Sequence, residues 1–261
     1  MPYAPVNGLR MYYEIHGSGR PLVLIHGGLG LIEMFAPLLP KLAAARQVIA
    51  VDLQGHGHTA DIERPFSYEG FAADIAALIE HLGVGQADLI GYSLGGGVAL
   101  QTAICHPQAV RRLVVISAPF RHDGWFHTVM ESVAAIRSGD LDGTVMHSAY
   151  LRSAPDPAGW PGLVEKTRLM LGKPYDWSGG VAALSTPTLI VVGDSDSLPP
   201  AHAAEMFGLL GGGKSDGNMG APFVHRFAVL PGTTHYDILE HTDLLVPILS
   251  GFLDAPMPRA S

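Results

Sequence analysis

The stretch "DLIGYSLGGG" (residues 88–97) decides the fold, because a short apolar run stops at a serine and continues into glycines. Glycine weakens regular secondary structure, so its placement here asks for a sharp turn or a close backbone approach. Gly91, Ser93 and Gly95 match the pattern G-x-S-x-G, which is a weak signal when it stands alone. In this chain the pattern directly follows a predicted strand and opens a predicted helix. That setting predicts a strained strand-to-helix turn that exposes the serine hydroxyl above a sheet.

Outward from this stretch, strand-like apolar runs alternate with helical patterns. Besides "ADLIGYS", the predicted strands are "LRMYYEIHG", "PLVLIHGG", "QVIAVDLQGHG", "RRLVVISAP", "PTLIVVGD" and "HRFAVLPG". The helical patterns between them are "MFAPLLPKLAAA", "YEGFAADIAALIEHLG" and "GGGVALQTAICHP". Continuous β-branched runs that alternate with helices indicate a parallel sheet covered on both faces. We therefore predict an α/β fold with a doubly wound, mostly parallel sheet and an antiparallel start.

The alternation breaks once, between residues 120 and 186, where no convincing strand occurs. This segment contains the helical patterns "WFHTVMESVAAIRSG" and "WPGLVEKTRLML", and it holds all three tryptophans, Trp125, Trp160 and Trp177. A structureless loop of that length is uncommon in a compact domain. We predict a helical cap at 120–186, inserted into a core made of 1–119 and 187–261. The alternative is a set of extra helices packed beneath the sheet, away from any site.

Composition limits the classes of function. The chain has 261 residues, of which 48% are hydrophobic, so a sizeable core is expected. A formal charge of −8 argues against a nucleic-acid surface. The single cysteine, Cys105, rules out an internal disulfide, and the N-terminus lacks the pattern of a signal peptide. The apolar runs are too short to cross a bilayer. We expect a cytoplasmic monomer or homodimer with no nucleic-acid or membrane partner.

The exposed serine needs a base, because a serine hydroxyl is nearly inert at neutral pH until its proton is taken. A histidine backed by a carboxylate is therefore expected on later loops at the same sheet edge. "LIVVGDSDSLPP" supplies Asp194 and Asp196 after a strand, and "FAVLPGTTHYDIL" supplies His235 after the last strand. The order serine, acid, histidine predicts the triad Ser93, Asp196 and His235. In this triad His235 accepts the serine proton and Asp196 orients the imidazole.

An acyl-transfer site must also bind an oxyanion. The backbone N–H of Leu94, the residue after the serine, supplies one donor. The second is expected from the loop after an early strand, within "LVLIHGGLG". We assign it to the N–H of Gly28, with Leu29 as the alternative.

Other residues leave alternatives open. Asp123, soon after "VVISAP", and Asp237, which follows His235 on a predicted helix, are rival acids. His56 and His58 lie two apart between glycines but without a helical zinc pattern, so we expect no metal site. The aromatic residues of 120–186 either line an apolar substrate pocket or form the core of the cap. The pocket candidates are Trp125, Phe126, Tyr150, Trp160 and Trp177.

The motifs together resemble the α/β-hydrolase superfamily, most closely its serine esterases, lactonases and cofactor-free perhydrolases. The resemblance rests on "HGG" (26–28), "DLQGHGHT" (52–59), "GYSLGG" (91–96), "GDSD" (193–196) and "PGTTH" (231–235), which span nearly the whole chain. In such proteins the acid usually lies three residues after the glycine that ends its strand. Gly193 therefore favours Asp196 over Asp194.

The resemblance implies a serine hydrolase that cleaves a carboxylic ester or lactone of a small to medium apolar molecule through an acyl-enzyme. It implies no metal and no organic cofactor. Ser93 excludes the aspartate-based mechanism of epoxide hydrolases and haloalkane dehalogenases. Carbon–carbon bond hydrolysis and perhydrolysis on the same triad are the alternatives. A further alternative, from another class, is a small-molecule receptor that hydrolyses its ligand slowly or not at all.

Overall fold

The central sheet has eight strands, seen in a computed structural model that describes residues 3–214 and 223–257. The strands are β1 (Tyr3–Val6), β2 (Leu9–His16), β3 (Arg20–Ile25), β4 (Arg46–Val51), β5 (Ala87–Tyr92), β6 (Val110–Ile116), β7 (Thr188–Ser195) and β8 (Arg226–Thr234). Their order in the sheet is β1-β2-β4-β3-β5-β6-β7-β8. β1 and β2 pair antiparallel, and all pairs from β4 to β8 are parallel. This confirms the predicted α/β class, including the antiparallel start.

The helices that flank the sheet are α1 (Leu39–Ala43), α2 (Tyr68–His81), α3 (Leu94–Cys105), α4 (His127–Ala135), α5 (Val145–Ser153), α6 (Trp160–Leu171), α7 (Ser178–Ala182), α8 (Pro200–Leu209) and α9 (Thr242–Leu253). Helices α4 to α7 lie between β6 and β7, within the segment for which a cap is predicted. That this segment forms a separate cap stays a prediction. No helix within the described ranges is both long and apolar enough to cross a membrane.

Three local predictions differ from the structure. The pattern over 34–45 yields α1 only from Leu39, because Pro37 and Pro40 have no N–H to donate and a proline is accommodated only in the first turn of a helix, where Pro40 lies. Asp237 lies in a turn rather than on a helix, since α9 begins at Thr242. The stretch 208–222, "GLLGGGKSDGNMGAP", is glycine-rich and polar, and this composition predicts a surface loop. It starts inside α8, and its part from 215 to 222 lies outside the described residues.

Both faces of the sheet are buried along its central strands β3 to β6, as continuous apolar strands require. Successive residues of β3 alternate between two apolar clusters: Val23 belongs to one, and Leu22 and Leu24 belong to the other. The first cluster includes apolar side chains of α2, α3 and α8, and the second includes those of α1 and α9. The parallel strands are thereby fixed in register, and their carboxyl ends meet at one edge of the sheet. The loops that follow β3, β5, β6, β7 and β8 leave from that edge.

Candidate active site

Ser93 occupies the tight turn between β5 and α3. Its backbone has φ 54° and ψ −121°, a conformation that costs energy in a residue with a Cβ. The turn is possible because glycines lie on both sides. A Cβ on Gly91 would come within 2.0 Å of the Gly95 carbonyl oxygen, and one on Gly95 within 2.2 Å of the Ile25 carbonyl oxygen. The strand and the helix therefore cross in direct backbone contact, with Ser93 at the crossing.

The structure brings Ser93, Asp196 and His235 together, although they follow three different strands. The Ser93 Oγ lies 3.0 Å from Nε2 of His235. The other ring nitrogen, Nδ1, lies 2.8 Å from Oδ1 of Asp196. This arrangement makes Nε2 the acceptor for the serine proton when Nδ1–H donates to the carboxylate.

The Asp196 carboxylate is buried and accepts four hydrogen bonds. The donors are Nδ1–H of His235 and N–H of Ser197 at Oδ1, and the Ser117 hydroxyl and N–H of Gly193 at Oδ2. Burial opposes ionisation, but the bonds from His235, Ser117 and Gly193 outweigh it and lower the pKa of Asp196. The carboxylate is therefore held ionised behind the imidazole.

The rival acids are placed elsewhere. Asp123 pairs with Arg121 at 2.9 Å on the surface. Asp194 accepts the N–H of Gly232 at 2.9 Å, and Asp237 accepts the N–H of Thr234 at 2.7 Å. Within the described residues none of the three forms a hydrogen bond or close ion pair with His235.

Two residues that sequence reasoning missed contact the triad. Tyr92, the last residue of β5, donates its hydroxyl to the carbonyl oxygen of His235 at 2.5 Å. Burial raises the pKa of this phenol, so it stays a donor. Ser117, just beyond β6, donates to Asp196. The only signal in the sequence is that each stands at a strand end next to a motif.

The loop after β3, which is predicted to bind an oxyanion and is called the oxyanion loop below, lies against the turn at Ser93. A Cβ on Gly28 would be 3.4 Å from Cδ1 of Leu94. The N–H of Leu29 is already donated to Nε2 of His56 at 3.3 Å. Within the described part of the chain, the N–H groups of Gly28 and Leu94 donate to no protein group. These two donors are therefore available to an oxyanion, and Leu29 is not.

Two buried histidines hold this loop in place. His26 accepts the N–H of Leu53 at Nε2, at 3.1 Å, so its Nδ1 carries the proton that is donated to a backbone carbonyl. His56 accepts the N–H of Leu29 at Nε2 and donates from Nδ1 to the carbonyl of Gln54 at 2.9 Å. Burial lowers the pKa of His26, and burial together with the nearby His26 lowers that of His56 to about 3. Both rings are thus neutral hydrogen-bonding supports.

A cavity of about 200 Å³ opens above Ser93, between the sheet edge and the helices that follow β6. Its walls are mostly apolar. The helical residues that line it include Val129, Met130, Val133, Val164, Thr167 and Leu171. Arg168 also reaches the cavity, but Glu165 holds its guanidinium at 2.6 and 2.8 Å.

The predicted pocket aromatics divide between the cavity and the helical segment. Trp125 lines the cavity, and its ring meets that of His235 edge to face at 5.7 Å. Tyr150 and Trp160 are buried against each other, with ring centroids 5.3 Å apart. Trp177 stacks on Tyr175, and Phe126 is 46% exposed. Of the five candidates, the geometry leaves a substrate-contacting role to Trp125.

Similarity to known proteins agrees with this geometry. A family model described as alpha/beta hydrolase fold matches residues 20–158. A protein of Azorhizobium caulinodans described as the putative carbamate hydrolase RutD is 28% identical, over 79% of this chain and 84% of its own.

Solved structures of similar shape include the enol-lactonase from Burkholderia xenovorans LB400, with a TM-score of 0.74, 20% identity, and coverage of 97% of this chain and 100% of its own. They also include a meta-cleavage product hydrolase from Pseudomonas fluorescens IP01, with a TM-score of 0.76, 20% identity and 97% coverage of both chains. At such identities the likeness establishes the fold.

Proposed function

This chain belongs to the alpha/beta hydrolase fold family, and on that premise we propose that it is a serine hydrolase that cleaves a carboxylic ester through a covalent acyl-enzyme. The observation that carries the proposal is the chain of two hydrogen bonds from Ser93 through His235 to Asp196. A serine, an imidazole and a buried carboxylate in this order form the arrangement that activates a hydroxyl for attack on a carbonyl. The relative described as a putative carbamate hydrolase supports cleavage at an acyl carbon.

In the proposed reaction, Oγ of Ser93 bonds to the carbonyl carbon while its proton passes to Nε2 of His235. The carbonyl oxygen becomes an oxyanion and accepts the N–H groups of Gly28 and Leu94. The intermediate collapses, the bond to the alkoxy oxygen breaks, and His235 returns the proton to the leaving alcohol. A water molecule then attacks the acyl-enzyme by the same steps, with His235 as its base.

The cavity supports a small to medium, apolar acyl or alcohol group. Its volume is about 200 Å³, and the side chains that line it are mostly apolar. The one charged side chain among the residues lining it, Arg168, is already paired with Glu165. A neutral substrate therefore suits the walls better than an anionic one.

The test is hydrolysis of p-nitrophenyl esters from acetate to octanoate. We expect multiple turnovers by the wild type and a loss of at least about 1,000-fold in Ser93→Ala, because removal of the nucleophile leaves only the oxyanion donors and binding. Ser195→Ala is the matched control, since Ser195 is an exposed serine outside the triad of Ser93, His235 and Asp196. Equal rates in wild type and Ser93→Ala would contradict the mechanism. Labelling of Ser93 by a fluorophosphonate without turnover of any ester would move the proposal to lactones or carbon–carbon bonds.

A further inference from the structure

Strained backbone conformations in this protein are concentrated around the triad of Ser93, His235 and Asp196. Four residues other than glycine have positive φ within the described ranges: Asn7, Leu29, Ser93 and Ser117. Asn7 precedes a glycine in the hairpin between β1 and β2, where such a conformation is ordinary. The other three lie at the oxyanion loop, at the nucleophile and beside the acid. Strained positions of this kind persist where the surrounding structure requires them, and they cluster at functional sites.

Ser117 is the member of this set to which the proposed mechanism assigns no role. It follows β6 with φ 53° and is completely buried. Its N–H donates to the carbonyl of Val191 at 2.9 Å, a bond that any amino acid except proline would keep. Its hydroxyl donates to Oδ2 of Asp196 at 2.5 Å. Within the described residues, the side chain of Ser117 thus forms one hydrogen bond, which is to the carboxylate of Asp196.

The four donors to Asp196 are not equivalent. The N–H groups of Gly193, near the end of β7, and of Ser197, in the loop after it, lie within three residues of Asp196 in the chain. His235 is the group that Asp196 has to orient. Ser117 lies 79 positions earlier, just beyond the neighbouring strand β6, and is the donor that ties the carboxylate to a second strand of the sheet.

We propose that Ser117 is a positioning residue, which acts through Asp196 by holding Oδ1 toward His235. The inference rests on the proposed function, because it concerns the activation of Ser93. Without the hydroxyl, Oδ2 keeps only the N–H of Gly193, and the carboxylate gains freedom to turn away from the imidazole. Hydrogen bonds to charged groups and small errors of alignment are each worth about 10- to 100-fold. We expect the activation of Ser93 to fall by about this factor.

The test compares Ser117→Gly with Ser117→Ala, since both remove the hydroxyl but differ at the backbone. Glycine accepts positive φ without strain and alanine does not, so Ser117→Gly should melt at the higher temperature of the two. The readout is the rate of fluorophosphonate labelling of Ser93, in which Oγ bonds to phosphorus, fluoride leaves and His235 takes the proton. We expect both variants to be labelled about 10- to 100-fold more slowly than the wild type, by equal factors. KM for any ester that the protein cleaves should stay within about twofold.

A double-mutant cycle identifies the route of the effect. If Ser117 acts through Asp196, Ser117→Gly should cause less than a twofold further loss when Asp196→Asn is already present. Wild-type labelling of Ser117→Gly would overturn the proposal and leave only a backbone role. A full additional loss in the Asp196→Asn background would also overturn it. Absence of Ser93 labelling in the wild type would refute the triad and the positioning role together, whereas labelling without ester turnover would count against the ester alone.

Discussion

Among single residues, Thr167 has a buried hydroxyl with no hydrogen-bond partner in the described structure. Its methyl group would lie 3.4 Å from a Cβ on Gly28, so the side chain fills the contact between α6 and the oxyanion loop. A threonine in a helix usually returns its hydroxyl to a carbonyl of the preceding turn, and this one does not. Thr167 therefore packs against the oxyanion loop through its methyl group, while its hydroxyl has no hydrogen-bond partner in the described structure.

Replacement of Thr167 by valine should stabilise the protein, because it keeps the shape and removes the unsatisfied hydroxyl. The expected gain in the free energy of unfolding is about 1 kcal/mol, the lower end of the cost of such a group. Urea denaturation measures it. Thr167→Ser is the matched control: it keeps the hydroxyl, loses the methyl contact and should be less stable than the wild type. A Thr167→Val protein less stable than the wild type would show that the hydroxyl is satisfied in solution.

The residues of the triad, and Ser117 beside it, were predictable from the sequence to different degrees. Ser93 and His235 follow from the need for a nucleophile and a base at strand ends, and the spacing from Gly193 favours Asp196 over Asp194. The structure places those three side chains in contact. Ser117 was not predictable, because a lone serine after a strand has no distinguishing pattern. Its importance depends on a backbone angle and on a strand pairing with β7.

At the level of secondary structure, α4 is unusual because none of its residues is fully buried. Its apolar side chains Val129, Met130 and Val133 line the cavity instead of packing into the core. Across the cavity, α6 presents Val164, Thr167 and Leu171, spaced as one helical face. The two helices thus line the cavity above Ser93 from both sides.

Enlarging a side chain of α4 should therefore shorten the preferred acyl chain. In Val133→Phe we expect hydrolysis of octanoate esters to fall by about 10-fold or more relative to acetate, since even one methylene changes discrimination by about 10- to 200-fold. The ratio of kcat/KM for the two esters measures this. Glu131→Phe, on an exposed part of the same helix, is the control and should leave the ratio unchanged. An unchanged ratio in Val133→Phe would place the acyl chain elsewhere.

Helices with a clear apolar face were easier to predict than the others. The pattern over 160–171 coincides with α6 as observed. The pattern over 125–139 is trimmed to the nine residues of α4, and α5 was missed. In α5 only Ala149 and Tyr150 are buried, so the segment carries too weak a periodic signal. Which aromatic reaches the cavity depends on how these helices pack, and periodicity does not contain that information.

For the whole molecule, buried neutral histidines couple stability to pH. The pKa is lowered from its ordinary value of about 6.5 in His26 and His56, and also in His202 and His225. Below that value the unfolded chain binds protons that the folded protein excludes, so stability falls as pH falls. His58 opposes this trend, because its bond to Asp52 raises its pKa. Because the pKa is lowered in four histidines and raised in one, we expect the net effect to be a loss of stability as the pH falls.

We expect the free energy of unfolding to decrease as pH is lowered from about 6.5 toward 4. Each histidine that stays neutral in the folded protein contributes up to about 1.4 kcal/mol per pH unit. Urea titrations at several pH values give the slope. His56→Gln should reduce the slope by the contribution of one proton, about 1.4 kcal/mol per pH unit. Glutamine can still accept the N–H of Leu29 but does not titrate. A flat profile in the wild type would refute the assignment of neutral rings.

The class and sheet of the whole molecule were predictable because parallel strands impose a strong apolar pattern. The first strand, Tyr3–Val6, was missed because its four residues are too few for a periodic signal. The order of strands in the sheet does not follow chain order, since β4 lies between β2 and β3. Such an arrangement is set by pairing over long distances, which local patterns do not encode.

The separation of Ser93 from His235 by 142 positions also determines the stage of folding at which the two side chains can meet. Their side chains meet only after β8 has joined β7, at the far end of the sheet from β1. On the proposed mechanism, a nascent or partly unfolded chain holds Ser93 without its base and cannot cleave a substrate. Catalytic competence therefore reports that the last strand has docked. For the same reason, two separately produced fragments divided between these positions would each be inert, and the recovery of activity on mixing would measure their reassembly.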